Sequence, residues 1–230
     1  MSDQSAAEFN QLARQCFEKG DFHGCIHWAA RAENLARQTD ENRQELWAIS
    51  EQANAWANLG EPKKGLDAAT RLMERAKKHG QDDYYIGGTR LFASRAADID
   101  LRNRWREIRP ILLEGLEVAR RLGDNFEEVY HLYRLGGYAW QVGEEEQGLA
   151  WLQEALNALR PDTNDSQAFF RCAINGSLSG LMRKRGNHAD AVRYAQISLG
   201  AAQEEGNPKF VADAQLTLAW AEWARGELAE

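Results

Sequence analysis

Glycines followed by a polar or acidic residue recur along the chain at a nearly constant interval: Gly20, Gly60, Gly143, Gly186 and Gly226. The gap between Gly60 and Gly143 spans two intervals. Asn103, within DLRNRW, stands near its middle, and Asn is the other residue type that tolerates the left-handed conformation at a helix end. With Asn103 counted, the anchors step by 40, 43, 40, 43 and 40 residues. One unit of that length cannot bury its own apolar face, so a chain of this kind gains stability by stacking neighbours.

Other columns keep the same register. Seven residues before the anchors stand Ala13, Ala53, Ala96, Gly136, Ser179 and Ala219, all small. Five residues after come Cys25, Gly65, Ile108, Gly148 and Ala191, small except for Ile108. Sixteen after come Ala36, Ala76, Ala119, Leu159 and Ala202. Twenty after, Gly80, Gly123 and Gly206 recur, with Asp40 and Thr163 in the remaining two places. A turn glycine flanked at these distances by small residues describes two antiparallel helices that cross closely. Larger apolar residues at spacings of three and four flank the crossings, such as Leu132, Leu135 and Trp140, or Leu178 and Met182.

The first helices of the pairs are expected near 5–19, 42–59, 83–102, 125–142, 166–185 and 208–225, and the second helices near 22–37, 62–78, 105–122, 145–159 and 188–204. Asp21, Asp40, the Asp124–Glu127 pair and Asn207 before Pro208 suit helix starts. Pro110 implies that the third second-helix starts late or bends.

Composition agrees. Only four Pro occur, and Ala, Glu, Gln, Leu and Arg dominate, which favours helix. No stretch alternates as a half-buried strand does. The net charge of −7 is spread as mixed signs, so no basic stripe is present for nucleic acid. The amino-terminal MSDQSAAEFN lacks the basic and apolar regions of a signal peptide, and no apolar run is long enough for a membrane span. Cys16, Cys25 and Cys172 cannot all pair and do not space as a metal knuckle. The expectation is one all-α domain over residues 1–230, cytoplasmic, with no cofactor.

The residues resemble the tetratricopeptide repeat (TPR) over essentially the whole chain, most of all in LGDNFEEVYHLYRLGGYAWQVGEEEQGLAWLQEAL, residues 122–156. They are similar to the longer variety of about 40 residues, whose second helix ends in an A-R-x-L-G-D phrase, here Ala119 to Asp124. That variety is seen in kinesin light chain, the LGN/Pins adaptors and MalT-like regulators. The resemblance implies a right-handed α-solenoid, here of five helix-turn-helix pairs plus a carboxy-terminal helix, whose first helices line a concave groove for peptides or proteins. Departures are Asn103 at a turn, Ile108 in a small column, and Gln52 and Arg95 at a usually apolar position. HEAT and armadillo repeats share the period but not these small columns.

If the first helices line the groove, its candidate binding residues are Trp47, Asn54, Arg90, Tyr130, Tyr133, Arg134, Gly137, Trp140, Gly180 and Arg183. Aromatics would anchor ligand side chains, and Arg134 and Asn54 would bond an extended backbone or a carboxylate. Several aromatics have a competing role in packing between adjacent helices. Glycine inside a helix costs about 1 kcal/mol against Ala. Gly136 is explained by its packing column, whereas Gly137, Gly176 and Gly180 would let a ligand backbone come close. His23 and His27 share a helix face, but Cys25 points elsewhere, so no metal site is expected. No nucleophile, phosphate-loop or zinc motif appears, and no catalytic site is expected.

Leu216, Leu218, Trp220 and Trp223 spread around the last helix, so Trp220 and Trp223 are a candidate interface, including one for a homodimer. The favoured function is an adaptor or scaffold that holds a protein or peptide segment. The alternative is a repeat sensor that responds to a peptide or small ligand and controls an effector.

Overall fold

A computed structural model describes residues 5–160 and 166–226, without the side chains of 166 and 167. Thr163, expected to close a helix, lies outside the described residues. The elements are α1 (Ala6–Glu18), α2 (Phe22–Gln38), α3 (Asn42–Asn58), α4 (Pro62–His79), α5 (Asp82–Leu122), α6 (Asn125–Val142), α7 (Glu145–Ala158), α8 (Ser166–Lys184), α9 (His188–Glu205) and α10 (Pro208–Gly226). No strand occurs among the described residues.

α5 is two helices. Between its ends only Asp100 leaves helical φ/ψ, at φ −168° and ψ 91°. The Tyr85 phenol hydrogen-bonds Glu114, although a straight helix would hold those residues about 43 Å apart. The limbs 82–99 and 101–122 therefore fold back on each other. Counted this way, the described chain holds five helix pairs and one further helix, as the spacing predicts.

Of the expected turn glycines all but Gly226 take the left-handed conformation; Gly226 is a correction, since α10 runs through it without a positive φ. Gly20, Gly60, Gly143 and Gly186 have φ between +72° and +103°, and Gly80, Gly123 and Gly206 are also left-handed. Asn103 is a correction: it sits three residues beyond the bend, inside the second limb. Asp100 makes the turn, accepting hydrogen bonds from the Asn103 backbone N–H (3.1 Å) and its Nδ2 (2.6 Å). An acidic side chain capping fresh N–H groups replaces a left-handed residue. Asp100 also lies forty residues beyond Gly60, repeating the first step. Pro110 sits exposed within the second limb, which neither starts late nor leaves helical dihedrals there.

Asp21 and Asp124 cap their helices as expected, accepting from Gly24 N (2.8 Å) and Glu127 N (3.1 Å). Asp40 does not. It takes φ +61° after α2, and Glu41 precedes α3 without a side-chain cap bond. Ser5 and Glu8 form a full capping box on α1, which the sequence reading passed over.

The helices group into two compact units, residues 1–118 and 119–230. In the amino-terminal unit, Ala13 and Cys25 share one buried cluster, and a Cβ on Gly65 would lie 3.3 Å from the Ala53 carbonyl oxygen. The same Cβ would meet Arg95 Cδ at 3.2 Å, so Gly65 makes room for the arginine stem, whose head pairs with Asp98 at 3.2 Å. Gln52 is buried because it completes a polar network: its Nε2 donates to Glu33 Oε2 (2.7 Å) and its Oε1 accepts from Arg71 (3.2 Å). Glu33 also binds Arg37 (2.6 Å) and Arg71 (2.7 Å). Both departures from an apolar position thus have a partner to satisfy them.

In the carboxy-terminal unit the crossings are closer. A Cβ on Gly136 would stand 2.6 Å from Leu152 Cγ and 2.9 Å from the Gly148 oxygen, and one on Gly148 would stand 2.9 Å from Trp140 N. In the next pair Ser179 donates to the Ala191 carbonyl at 2.8 Å, bonding across the crossing itself. α6 touches α8, and α8 touches α10, whereas among the described residues α7 and α9 make no such approach. The first helices thus form the tighter layer of this unit, and its inner side.

These distances separate two neighbouring glycines. Gly136→Ala is expected to lower unfolding free energy by about 1–3 kcal/mol through overpacking. Gly137→Ala, whose Cβ would meet only Ser177 Oγ at 4.0 Å, is expected to raise it by about 0.5–1 kcal/mol. Urea denaturation of both variants measures the difference; equal effects would contradict the assigned crossing.

Candidate functional site

α6 carries Tyr130, Arg134 and Tyr138 at successive intervals of four, so the three side chains lie along one stripe of the helix. The Arg134 guanidinium carbon lies 5.2 Å from the Tyr130 ring centroid, 5.4 Å from Tyr133 and 5.6 Å from Tyr138. Its Nε donates to the Tyr130 hydroxyl at 3.0 Å. Each cation–π contact contributes about 0.5–1 kcal/mol where water still reaches the pair. Burial works against the Arg134 charge, but the surrounding phenols outweigh it and hold the group above the ordinary arginine value. Tyr130 and Tyr138 are buried, while Tyr133 and Arg134 are half-buried. Desolvation raises the Tyr133 phenol, which lies beside Ser177 and Cys172 of α8. Tyr138 and Ser177 were missed by the sequence reading, although the i, i+4, i+8 spacing of the first three was visible in it.

The glycines divide by role. Gly137 is itself buried, and a side chain there would meet Ser177 Oγ of α8 at 4.0 Å, an ordinary contact distance. Gly180 is filled from within: the Trp140 ring lies 3.3 Å from its would-be Cβ. Trp140 is half-buried and packs against a cluster containing Leu181, Met182, Val192 and Ala221. Its Nε1 is buried without a hydrogen-bond partner among the described residues. Gly176 faces Ser198 Oγ of α9 at 3.5 Å. At Gly180 and Gly176 the missing side chains therefore answer to helix packing. Arg183, at the end of α8, is exposed.

The remaining candidates lie in the amino-terminal unit. Trp47 donates from its Nε1 to Glu51 Oε1 at 3.1 Å, and Asn54 accepts on its carbonyl from Asn58 Nδ2 at 2.9 Å. Glu51 is buried, with Arg14 at 3.4 Å, and its Oε2 has no hydrogen-bond partner among the described residues. Arg90 is half-buried and engaged by a neighbouring group. On α10, Leu216, Trp220 and Trp223 are 58%, 49% and 53% exposed, and the two indoles meet edge to face at 5.6 Å.

A separate concavity of about 670 Å³ opens between α7 and α9, lined by Leu156, Leu159, Asn175, Tyr194 and Ile197. Its arginines are already paired, Arg171 with Glu204, and Arg193 with Asp190. Among the described residues no three His, Cys, Asp or Glu side chains gather in a way that could hold a metal ion. No described helix is long and apolar enough to cross a membrane.

No family model and no curated protein matches the chain. Solved structures do, and they give the fold: a TPR-like α-solenoid. A STAND signal-transduction ATPase with a TPR sensor, from Pyrococcus horikoshii, aligns with TM-score 0.75 at 17% identity, over 94% of this chain and 32% of that one. The apo quorum sensor NprR from B. thuringiensis aligns with TM-score 0.72 at 15% identity, over 96% and 62% of the two chains. NprR in complex with its cognate peptide NprX aligns with TM-score 0.67. A thermophilic TPR protein from Thermus thermophilus aligns with TM-score 0.60 at 20% identity, over 95% and 100%. The chain thus spans about a third of the ATPase and less than two thirds of the quorum sensor.

Cysteine chemistry checks the first helix pair. Cys25 is buried, and burial pushes its thiol up to about 12. Iodoacetamide at about pH 8 is expected to leave Cys25 unmodified in the native chain and to label all three cysteines in denaturant. Intact-mass and peptide analysis read the result, and native labelling of Cys25 would contradict the packing.

Proposed function

We propose that this chain is a protein-interaction module that holds a peptide or protein segment along the inner face of α6 and α8. The observation that carries the reading is the half-buried guanidinium of Arg134, ringed by three tyrosines. Aromatic and arginine side chains of this kind dominate binding energy at interfaces. Trp47, Asn54 and Arg90 are separate candidates in the amino-terminal unit, and Trp140, Gly180 and Arg183 are the further candidates in the carboxy-terminal one. The period of 40 to 43 residues supports a likeness to the longer TPR variety. The reading includes residence in the cytoplasm, supported by three unpaired cysteines, and no chemistry of its own.

A second reading, the ligand-responsive sensor, is favoured by two of the similar structures. One is a quorum sensor solved with its cognate peptide, and the other carries a TPR sensor on an ATPase. The Leu216, Trp220 and Trp223 face of α10 is a second contact surface in either reading, for a partner or for another copy of the chain.

A photoreactive amino acid at Tyr133, and another at exposed Gln153 on α7, would be cross-linked in the native cell, and the captured segment resynthesised for calorimetry. The module reading expects capture at position 133 but not 153, one-to-one binding, and at least about tenfold weaker binding by Tyr133→Ala. Capture at 153 alone, or binding indifferent to Tyr133→Ala, would contradict it. The sensor reading expects a short peptide as the captured species rather than a whole protein.

A further inference from the structure

Arg134 is placed where an arginine is usually paired. It is half-buried, yet among the described residues no carboxylate meets it, and its only hydrogen bond runs from Nε to the Tyr130 hydroxyl. Arg185, the other partly buried arginine among the described residues of this unit, has acids beside it: Glu145 at 3.5 Å and Glu146 at 2.9 Å. A cation withdrawn from water is normally matched by an opposite charge as well as by hydrogen bonds. Around Arg134 the match is aromatic. The three tyrosines support the charge through their ring faces without neutralising it.

That arrangement leaves the terminal fork, Nη1 and Nη2, without an acceptor among the described residues, while Nε is fixed by Tyr130 and the guanidinium carbon lies within 5.6 Å of the Tyr130 and Tyr138 rings. The guanidinium is therefore oriented before any ligand arrives, which lowers the ordering cost of binding. Its fork matches the two oxygens of a carboxylate.

Resting on the groove reading above, we propose that Arg134 is the anchor for a carboxylate of the bound peptide. A single guanidinium among phenols supplies one positive charge, which suits a monoanionic carboxylate rather than a phosphate dianion. The chain carries a net charge of −7, so an acidic ligand is repelled by the whole molecule and has to be held at a local cation. The carboxylate comes either from the carboxy terminus of the peptide or from an Asp or Glu side chain, and the two share this chemistry.

Three fluorescein-labelled pools of random nonapeptides test it by retention on the immobilised full chain. One pool lacks Asp and Glu but has free carboxy termini, one contains Asp and Glu but is amidated, and one is both acid-free and amidated. Either carboxylate-bearing pool is expected to be retained at least about tenfold better than the neutral pool. The free-terminus pool identifies a terminal carboxylate, and the amidated acidic pool identifies a side chain. Arg134→Gln is expected to abolish the preference and Arg134→Lys to keep part of it, with thermal melts showing that both remain folded. Equal retention of the neutral pool, lost in Tyr133→Ala, would overturn the carboxylate anchor and leave the groove standing. A preference undiminished in folded Arg134→Gln would also overturn the anchor. No retention of any pool by the native chain would overturn both.

Discussion

Where the two helices of a pair cross, their backbones approach until only a hydrogen, a methyl or a small polar group fits between them. Gly136 and Gly148 show the limit, each leaving under 3 Å to the facing helix for a Cβ. The rest of the arrangement depends on this approach. A second helix seated so closely against its first helix spends its apolar face there and on the next first helix, so α6 meets α8 and α8 meets α10, while α7 and α9 stay apart. The inner faces of the first helices are consequently released from packing with second helices. Tyr133 and Arg134, both half-buried, occupy such a face.

The two units treat polar burial differently. In the amino-terminal unit acids are submerged and answered: Glu33 by Arg37, Arg71 and Gln52, and Glu45 by Arg37 and Arg75. Such a network positions helices without enlarging the apolar core, and removing one member leaves the others exposed to the cost of burial. In the carboxy-terminal unit the notable half-buried charge is Arg134, and what surrounds it is aromatic. The first pattern is closed within the molecule. The second leaves Arg134 without an acidic partner among the described residues, and the proposed contact with a ligand rests on that difference.

Much of the fold was legible because a turn glycine, a small residue and a helix boundary are local requirements that residue type alone satisfies. The helices begin and end within a few residues of the expected places, and the left-handed positions fall at the glycines and at Asp40. Asn103 was misread because two residue types can turn the chain in different ways: a left-handed Asn and a capping Asp stand three apart in DLRN, and the hydrogen bonds choose Asp100. The glycines of α8 were harder still. Whether an absent side chain makes room for a ligand, an indole or a neighbouring helix depends on what lies opposite, and nothing in the local sequence says that Trp140 fills Gly180. Arg134 was visible as a groove residue, but its lack of an acidic partner is a property of the packed molecule.

Hydrogen–deuterium exchange with and without a captured ligand tests most directly whether the inner layer is the binding face. Protection that develops over α6 and α8, with α7 and α9 unchanged, is the expected result. Protection confined to α7 and α9, around the concavity between them, with no change in α6, would contradict the account.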